Sequence, residues 1–352
     1  MARRALVAVA LAVCLAGAAA VPMSAAARPR PSKQLQRPAA AATTTTTAAA
    51  AAAAAAPGIE VRHSVHPESV VGLTQADLRR HFLVENLFTP GRVSLTYSHD
   101  DRMIIGGASP APGSPLPLPS GPEVLAKAIG QPSFLAQREM GVFNAGGAGR
   151  VVADGETFAL DAQEAIYIPQ ASGPAPICHH RGTKDVRFES TDAAHPAKFY
   201  LLSCPAHARH AAAKINARNA TKAVSAGSAA ASNARTLYHL IVPGGIESDQ
   251  LTLGVTHLAN GSVWNTMPAH LHDRRSEVYM YYGLAPDARV IHLLGEPSET
   301  RHLVVANEQA VIEPSWSIHS GAGTSAYSFV WGMCGENRAL PDVEPVAMAA
   351  LR

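Results

Sequence analysis

Cysteine is scarce in this chain: Cys14, Cys178, Cys204 and Cys334 are the only four in 352 residues. Cys14 falls in an N-terminal leader, and the three left over are an odd number, which argues against a disulfide framework. One bridge stays open if the chain is exported; otherwise we read the three as buried or inert thiols. Acidic residues are missing from residues 1–58, which carry Arg3, Arg4, Arg28, Arg30, Lys33 and Arg37. Setting those six aside from 29 basic residues leaves 23 against 27 acidic ones, so the rest of the chain is near −4 and the formal +2 belongs to the leader. The body therefore carries no nucleic-acid footprint. A long, strongly apolar run is also lacking. Ala5 to Val21 is apolar only weakly, because Gly17 and many alanines dilute it, and this disfavours a spanning helix.

What is present begins with that leader. Residues 1–27 join a basic start, a short apolar run and small residues around Ala25-Ala26-Ala27, the pattern of a secretory signal. Residues 28–57 are Arg/Pro-rich, then a threonine run, then an alanine run; they cannot build a core and read as a disordered linker. The expectation is export to a periplasm, a secretory lumen or the medium, with no membrane contact once the leader is removed. Translation from Met23 would instead leave the protein cytoplasmic.

From Leu73 to Leu87 the pattern is helical, with Thr74 as N-cap and Asp77 in the first turn. After Arg92, short alternating runs take over: Val93–Tyr97, Met103–Ile105, Arg150–Val152, Ala165–Ile168 and Lys198–Leu202 read as strands. Long helices are absent from this core, so the fold class is mainly β, as sandwiches or barrels. A weak repeat links Asp161 to Gly173 with Ala306 to Gly321: each places an acid and an apolar strand before a proline turn. It implies two homologous β-domains, 58–210 without a metal site and 236–352 with one, joined by an Ala/Ser/Asn-rich loop at 211–235. In this repeat Glu164 stands as the counterpart of Glu308.

The residues richest in chemistry are His270, His272 and Glu277, in Pro268-Ala-His-Leu-His-Asp-Arg-Arg-Ser-Glu277. Residues i and i+2 of a strand point to one face, so His270 and His272 can look into one cavity. His319, in Pro314-Ser-Trp-Ser-Ile-His319, supplies a fourth ligand. Three neutral imidazoles and a carboxylate suit a borderline divalent ion such as Zn, Fe, Mn, Co or Ni. Cys178-His179-His180 offers a second, weaker cluster, although three adjacent residues cannot all converge on one ion.

These motifs resemble those of the cupins, and the resemblance sharpens to the two-domain 5-keto-4-deoxyuronate isomerase (4-deoxy-L-threo-5-hexosulose-uronate ketol-isomerase) family. It covers about Ile59 to Arg352 and rests on runs such as Arg138-Glu-Met-Gly141, Asn144-Ala-Gly-Gly-Ala-Gly149, Trp264-Asn-Thr-Met-Pro268 and Gly295-Glu-Pro-Ser-Glu-Thr-Arg-His302. The resemblance implies a zinc-dependent ketol-isomerase of pectin and uronate breakdown. Its substrate is a small-molecule uronate, its assembly a homohexamer, and its metal ligands His270, His272, Glu277 and His319.

The implied reaction abstracts a proton beside a carbonyl, through an enediol. A base near neutral pKa must then lie within reach, and His302, Glu308 and Tyr281 are the candidates; a hydride shift would need none. The substrate's carboxylate calls for a fork-shaped donor, and Arg274 and Arg301 lie nearest the motifs. Regular alternation would turn Arg274 inward and Arg275 outward. Two other readings of the same ligand set stay open: an Fe(II) dioxygenase and a non-enzymatic carbohydrate-binding bicupin.

Overall fold

Period-two alternation of apolar residues governs the folded chain, and four sheets result. The computed structural model describes residues 58–120, 128–131, 133–171, 185–217, 219–220, 222–336, 339 and 342–352. The leader, the linker and Cys178-His179-His180 lie outside the described residues.

The first half is a sandwich of cupin type. Its seven-stranded sheet runs in the order Glu60–Arg62, Val93–Ser98, Ile104–Ala108, Phe199–Pro205, Arg138–Asn144, Glu164–Ile168, Ala213–Asn216. A four-stranded sheet faces it, in the order Leu116–Pro117, Val186–Ser190, Gly149–Ala153, Glu156–Leu160. The second half repeats the winding. Its seven-stranded sheet runs Lys222–Ala226, Arg235–Ile241, Thr252–Leu258, Ser328–Gly335, Arg275–Tyr282, Ala310–Glu313, Leu83–Val84. Opposite lies a five-stranded sheet, Glu299–Val305, Val290–Glu296, His319–Gly323, Trp264–Leu271, Glu344–Pro345.

Three apolar layers hold these sheets. One fills the first sandwich around Met140, Val142, Ile168 and Phe199, and one fills the second around Tyr279, Val290, Phe329 and Trp331. The third lies between the two seven-stranded sheets, where Phe143, Tyr200 and Leu202 meet Leu253, Val278 and Val330. Fully burying each such side chain contributes about 1.5–3 kcal/mol, so the halves are bound into one unit rather than tethered. The approach is close enough at Gly332 that an added Cβ would lie 2.2 Å from Leu202 Cδ2.

The boundaries differ from those expected. Residues 211–235 were expected as a loop, yet Ala213–Asn216 pairs with Glu164–Ile168 and Lys222–Ala226 pairs with Arg235–Ile241. Small residues fit edge strands well enough when a neighbouring strand supplies the hydrogen bonds. The N-terminal helices were assigned to the first half, but Val70, Leu78 and Phe82 pack into the core of the second. The longer helix spans Gln75–Phe82 and is capped by Thr74 and Asp77 in a reciprocal capping box. It stops short of Leu87 because Leu83 and Val84 pair with Val311 and Ala310 as an edge strand. Cys204 and Cys334 are buried free thiols, and burial pushes the Cys204 thiol up, away from the reactive thiolate.

The repeat is real but its register is shifted by one. Gln163 and Glu308 both occupy the left-handed region, at φ 65° and 63°. Their amides donate to Asn144 O and Tyr281 O respectively. Glu164 Oε2 accepts from Asp161 N at 2.8 Å just as Gln309 Oε1 accepts from Ala306 N at 2.9 Å. The counterpart of Glu308 is therefore Gln163, not Glu164.

Candidate metal centre

Three strands and one turn of the second half assemble the centre. His270 closes the strand Trp264–Leu271 and lies opposite His319, the first residue of its own strand. Glu277 sits on Arg275–Tyr282, opposite Glu313. The chain reverses at Asp273-Arg274, where Arg275 N donates to His272 O. That turn brings His272 alongside Glu277.

One donor atom from each of His270, His272, Glu277 and His319 lies within 4.8 Å of all the others. His319 Nε2 is 2.9 Å from Glu277 Oε2 and 3.0 Å from His270 Nε2. His272 Nε2 faces Glu277 Oε2 at 3.3 Å without hydrogen-bond geometry. Tetrahedral bonds of about 2.0–2.1 Å place neighbouring ligand atoms about 3.4 Å apart, so the four donors fit a divalent cation with little movement.

Electrostatics hold His270 and Glu277 in the forms that bind a cation. Burial, and then the adjacent His319, hold the His270 imidazole down at about 2, hence neutral. Burial would raise Glu277, but the facing His319 and His272 more than offset it and hold the carboxylate ionised. For His272, burial lowers the pKa, but Glu277 and the Asp342 carbonyl outweigh it and leave it raised. A bound cation would displace that proton.

Behind the ligands a second layer fixes their orientation. His272 Nδ1 contacts the backbone carbonyl of Asp342. His319 Nδ1 lies 3.2 Å from Glu313 Oε2, Glu313 Oε1 lies 3.1 Å from His292 Nε2, and His292 Nδ1 lies 2.7 Å from Tyr281 Oη. Burial, then the charge of Glu277, pushes Glu313 well above the carboxylate range. Burial, then His319, holds His292 at about 3. Glu313 thus lies between His319 Nδ1 and His292 Nε2, on the side of the His319 ring away from the Nε2 that faces the cluster.

The cluster opens on a cavity of about 250 Å³ between the two sheets of this half. Leu237, Met267, Phe329 and Trp331 give it apolar walls, and Arg235, His239 and Tyr279 give it polar ones. Gly254 makes room for the Trp331 indole, since a Cβ there would meet the ring at 2.1 Å.

A model described as the KduI/IolB family matches residues 115–346. The 4-deoxy-L-threo-5-hexosulose-uronate ketol-isomerase of Burkholderia cenocepacia is 51% identical over 294 residues, covering 84% of this chain and 100% of that protein. This chain belongs to the KduI/IolB family. The ketol-isomerase of the same name from Dickeya dadantii is 45% identical over the same span and coverage. An IolB-like protein from Salmonella typhimurium LT2, 16% identical, matches in structure with a TM-score of 0.56, covering 74% of this chain and 94% of its own; it shares the fold.

Within this family member, the structure brings together the four residues read as ligands and puts the other candidates elsewhere. Tyr281 is fully buried behind the cluster, bonded to His292. His302 is exposed on the edge strand Glu299–Val305, because the alternation there turns Leu303 inward. Glu308 sits at a turn and pairs with Lys198 at 2.6 Å, across the two halves. Arg301 donates to the carbonyls of Val70, Val71 and Leu73 and so anchors the N-terminal helices. Arg274 is exposed beside Glu336 and borders a separate opening of about 410 Å³ that contains none of the four ligands. Arg275, expected outward, is only 2% exposed, because the Asp273-Arg274 turn breaks the alternation.

Sequence reasoning missed Arg235 and His239, which line the cavity with Leu237 from one face of Arg235–Ile241. The signal was an R-x-L-x-H alternation, but nothing local says which face meets the ligands. Glu313 and His292 left no signal at all, since each looks like an ordinary strand residue.

Proposed function

We propose that this chain is a zinc-dependent ketol-isomerase converting 4-deoxy-L-threo-5-hexosulose uronate to 3-deoxy-D-glycero-2,5-hexodiulosonate in pectin and uronate breakdown. The observation that carries this reading is the convergence of three imidazoles and Glu277 on a cavity of sugar-acid size. It is supported by 45–51% identity to proteins of that name along their whole length. The homohexamer and export by the leader are part of the same reading.

In the reaction a proton moves from the hydroxyl-bearing carbon to the neighbouring aldehyde carbon, and the hydroxyl proton moves to the former aldehyde oxygen, so no atoms are gained or lost. A divalent cation held by His270, His272, Glu277 and His319 supplies a Lewis acid for the developing oxyanion. The chain's own residues do the rest. His239 takes the proton in this reading: burial, then Lys222, lowers its pKa, so its imidazole is neutral at neutral pH and free to accept. Tyr279, whose pKa burial raises, keeps its phenol proton, and its hydroxyl bonds with Thr266 at 3.0 Å. Leu237, Met267, Phe329 and Trp331 line the cavity with apolar surface beside the reacting carbons.

The test is turnover of enzymatically generated substrate by the full chain, as purified, after chelation and after adding back zinc. Chelation should abolish conversion and zinc should restore it, but not in His272→Ala. Absence of conversion with metal bound and the fold intact would sink the isomerase reading, and dioxygen uptake or sugar binding would then be measured. His239→Gln should lower kcat by about 10²–10⁴-fold with metal retained; an unchanged kcat would exclude it as the base.

A further inference from the structure

We propose that Arg235 is the anion-binding residue of the cavity, reading the carboxylate at the end of the substrate remote from the metal-binding cluster. The substrate identity rests on the isomerase reading above; the anion site does not.

Arg235 opens the strand Arg235–Ile241 and points into the same cavity as His270, His272 and Glu277. It is half-buried, with one hydrogen bond, from Nη1 to Asn233 O at 2.8 Å. A guanidinium has five N–H donors in a rigid fork that matches a carboxylate. Its electrostatic neighbours are the phenols of Tyr279 and Tyr327, and no carboxylate among the described residues pairs with it. Burial lowers its pKa, so the charge is held partly dry, and its field makes a small contribution to depressing the pKa of His270. A half-dry cation with unspent donors, facing an open cavity, is stabilised by an anionic ligand.

The other arginines nearby are already committed. Arg274 pairs with Glu336 on the surface, Arg275 bonds Ala339 O and lies beside Asp342, and Arg301 caps three backbone carbonyls. Arg289 folds back onto Pro286 O and Ala288 O. Among the described residues, Arg235 is also the one arginine or lysine that borders the cavity.

Cluster and guanidinium then recognise opposite ends of one open chain. The aldehyde and its neighbouring hydroxyl lie toward the cluster, and the carboxylate lies toward Arg235. This arrangement selects open-chain hexuronates over neutral sugars, because a neutral end would leave the arginine unpaired.

Arg235→Gln and Arg235→Lys in the full chain, assayed with the uronate and with its neutral methyl ester, test this, with metal content and Tm measured alongside. Arg235→Gln should raise KM for the uronate by at least about 30-fold with zinc retained, while KM for the ester stays put; Arg235→Lys should fall between. An unchanged KM for the uronate overturns the assignment. So does an equal loss toward acid and ester, which would mark a structural role. Calorimetric binding of D-galacturonate separates this proposal from the isomerase reading. Binding by the wild type that is lost in Arg235→Gln supports the anion site even if no isomerisation is found, and equal binding by both removes it.

Discussion

The two halves wind the same way, and one pair of facing residues shows most plainly how they differ. In the first half Met140 lies opposite Ile168; at the same place in the second, Glu277 lies opposite Glu313. The turns at Gln163 and Glu308 fix that correspondence, since each lies five residues before the strand position concerned. Met140 and Ile168 are fully buried in an apolar cluster. Glu277 and Glu313 are as deeply buried but are surrounded by His272, His292 and His319. The scaffold therefore tolerates either filling. An apolar pair contributes stability at no electrostatic cost. Two buried carboxyls are held here only beside three imidazoles, and that surrounding is what turns a sandwich interior into a candidate binding centre.

The sharpest way to break the comparison is Glu277→Met, which makes the second half resemble the first. It should abolish stoichiometric zinc and lower turnover by about 10³-fold or more, while the circular dichroism spectrum is kept. Full metal content in this variant would show that three histidines suffice. The converse, Met140→Glu, places a lone carboxyl among Val142, Ile168 and Phe199 and should cost about 3–5 kcal/mol, read by denaturant unfolding. A cost under 1 kcal/mol would mean that water or a partner reaches the first core.

Acid should separate the halves next. An unfolded histidine titrates near 6.5, whereas His292 is held down at about 3 by burial. Its stabilising contribution is complete above about pH 6.5 and is lost as pH falls from there toward 3, at up to about 1.4 kcal/mol per pH unit. Hydrogen exchange between pH 7 and pH 5 should show Arg275–Tyr282 losing protection before Arg138–Asn144; simultaneous loss would argue against the buried-histidine account. The smallest effect is expected from Glu313→Ile, which removes the carboxyl shared by His319 Nδ1 and His292 Nε2. Zinc affinity should fall about 10–100-fold, measured by competition with a chromophoric chelator, and unchanged affinity would deny Glu313 its orienting role.

Much of this was legible without coordinates. The H-x-H spacing, Glu277 and His319 identified the four converging donors, because strand periodicity is short-range and each motif carries its own geometry. Strand alternation also announced a β-sandwich architecture repeated twice. The remaining side chains were misplaced for identifiable reasons. Arg274 was expected inward because the alternation was carried through a turn, and Arg301 because nearness in sequence stood in for nearness in space. Glu308 and Tyr281 were candidates by chemistry alone, and their partners Lys198 and His292 lie 110 and 11 residues away.

The amino-acid order by itself determined the strand-rich class, the capped helix after Thr74 and the four residues that could hold a metal ion, since all of these follow from spacing over a few residues. Only the tertiary structure decided that the N-terminal helices pack on the far half, that Glu313 and His292 stand behind His319, and that Arg235 and His239 face the cavity. Those facts depend on which sheet face meets which, and that is settled by burial of apolar surface summed over strands far apart in the chain.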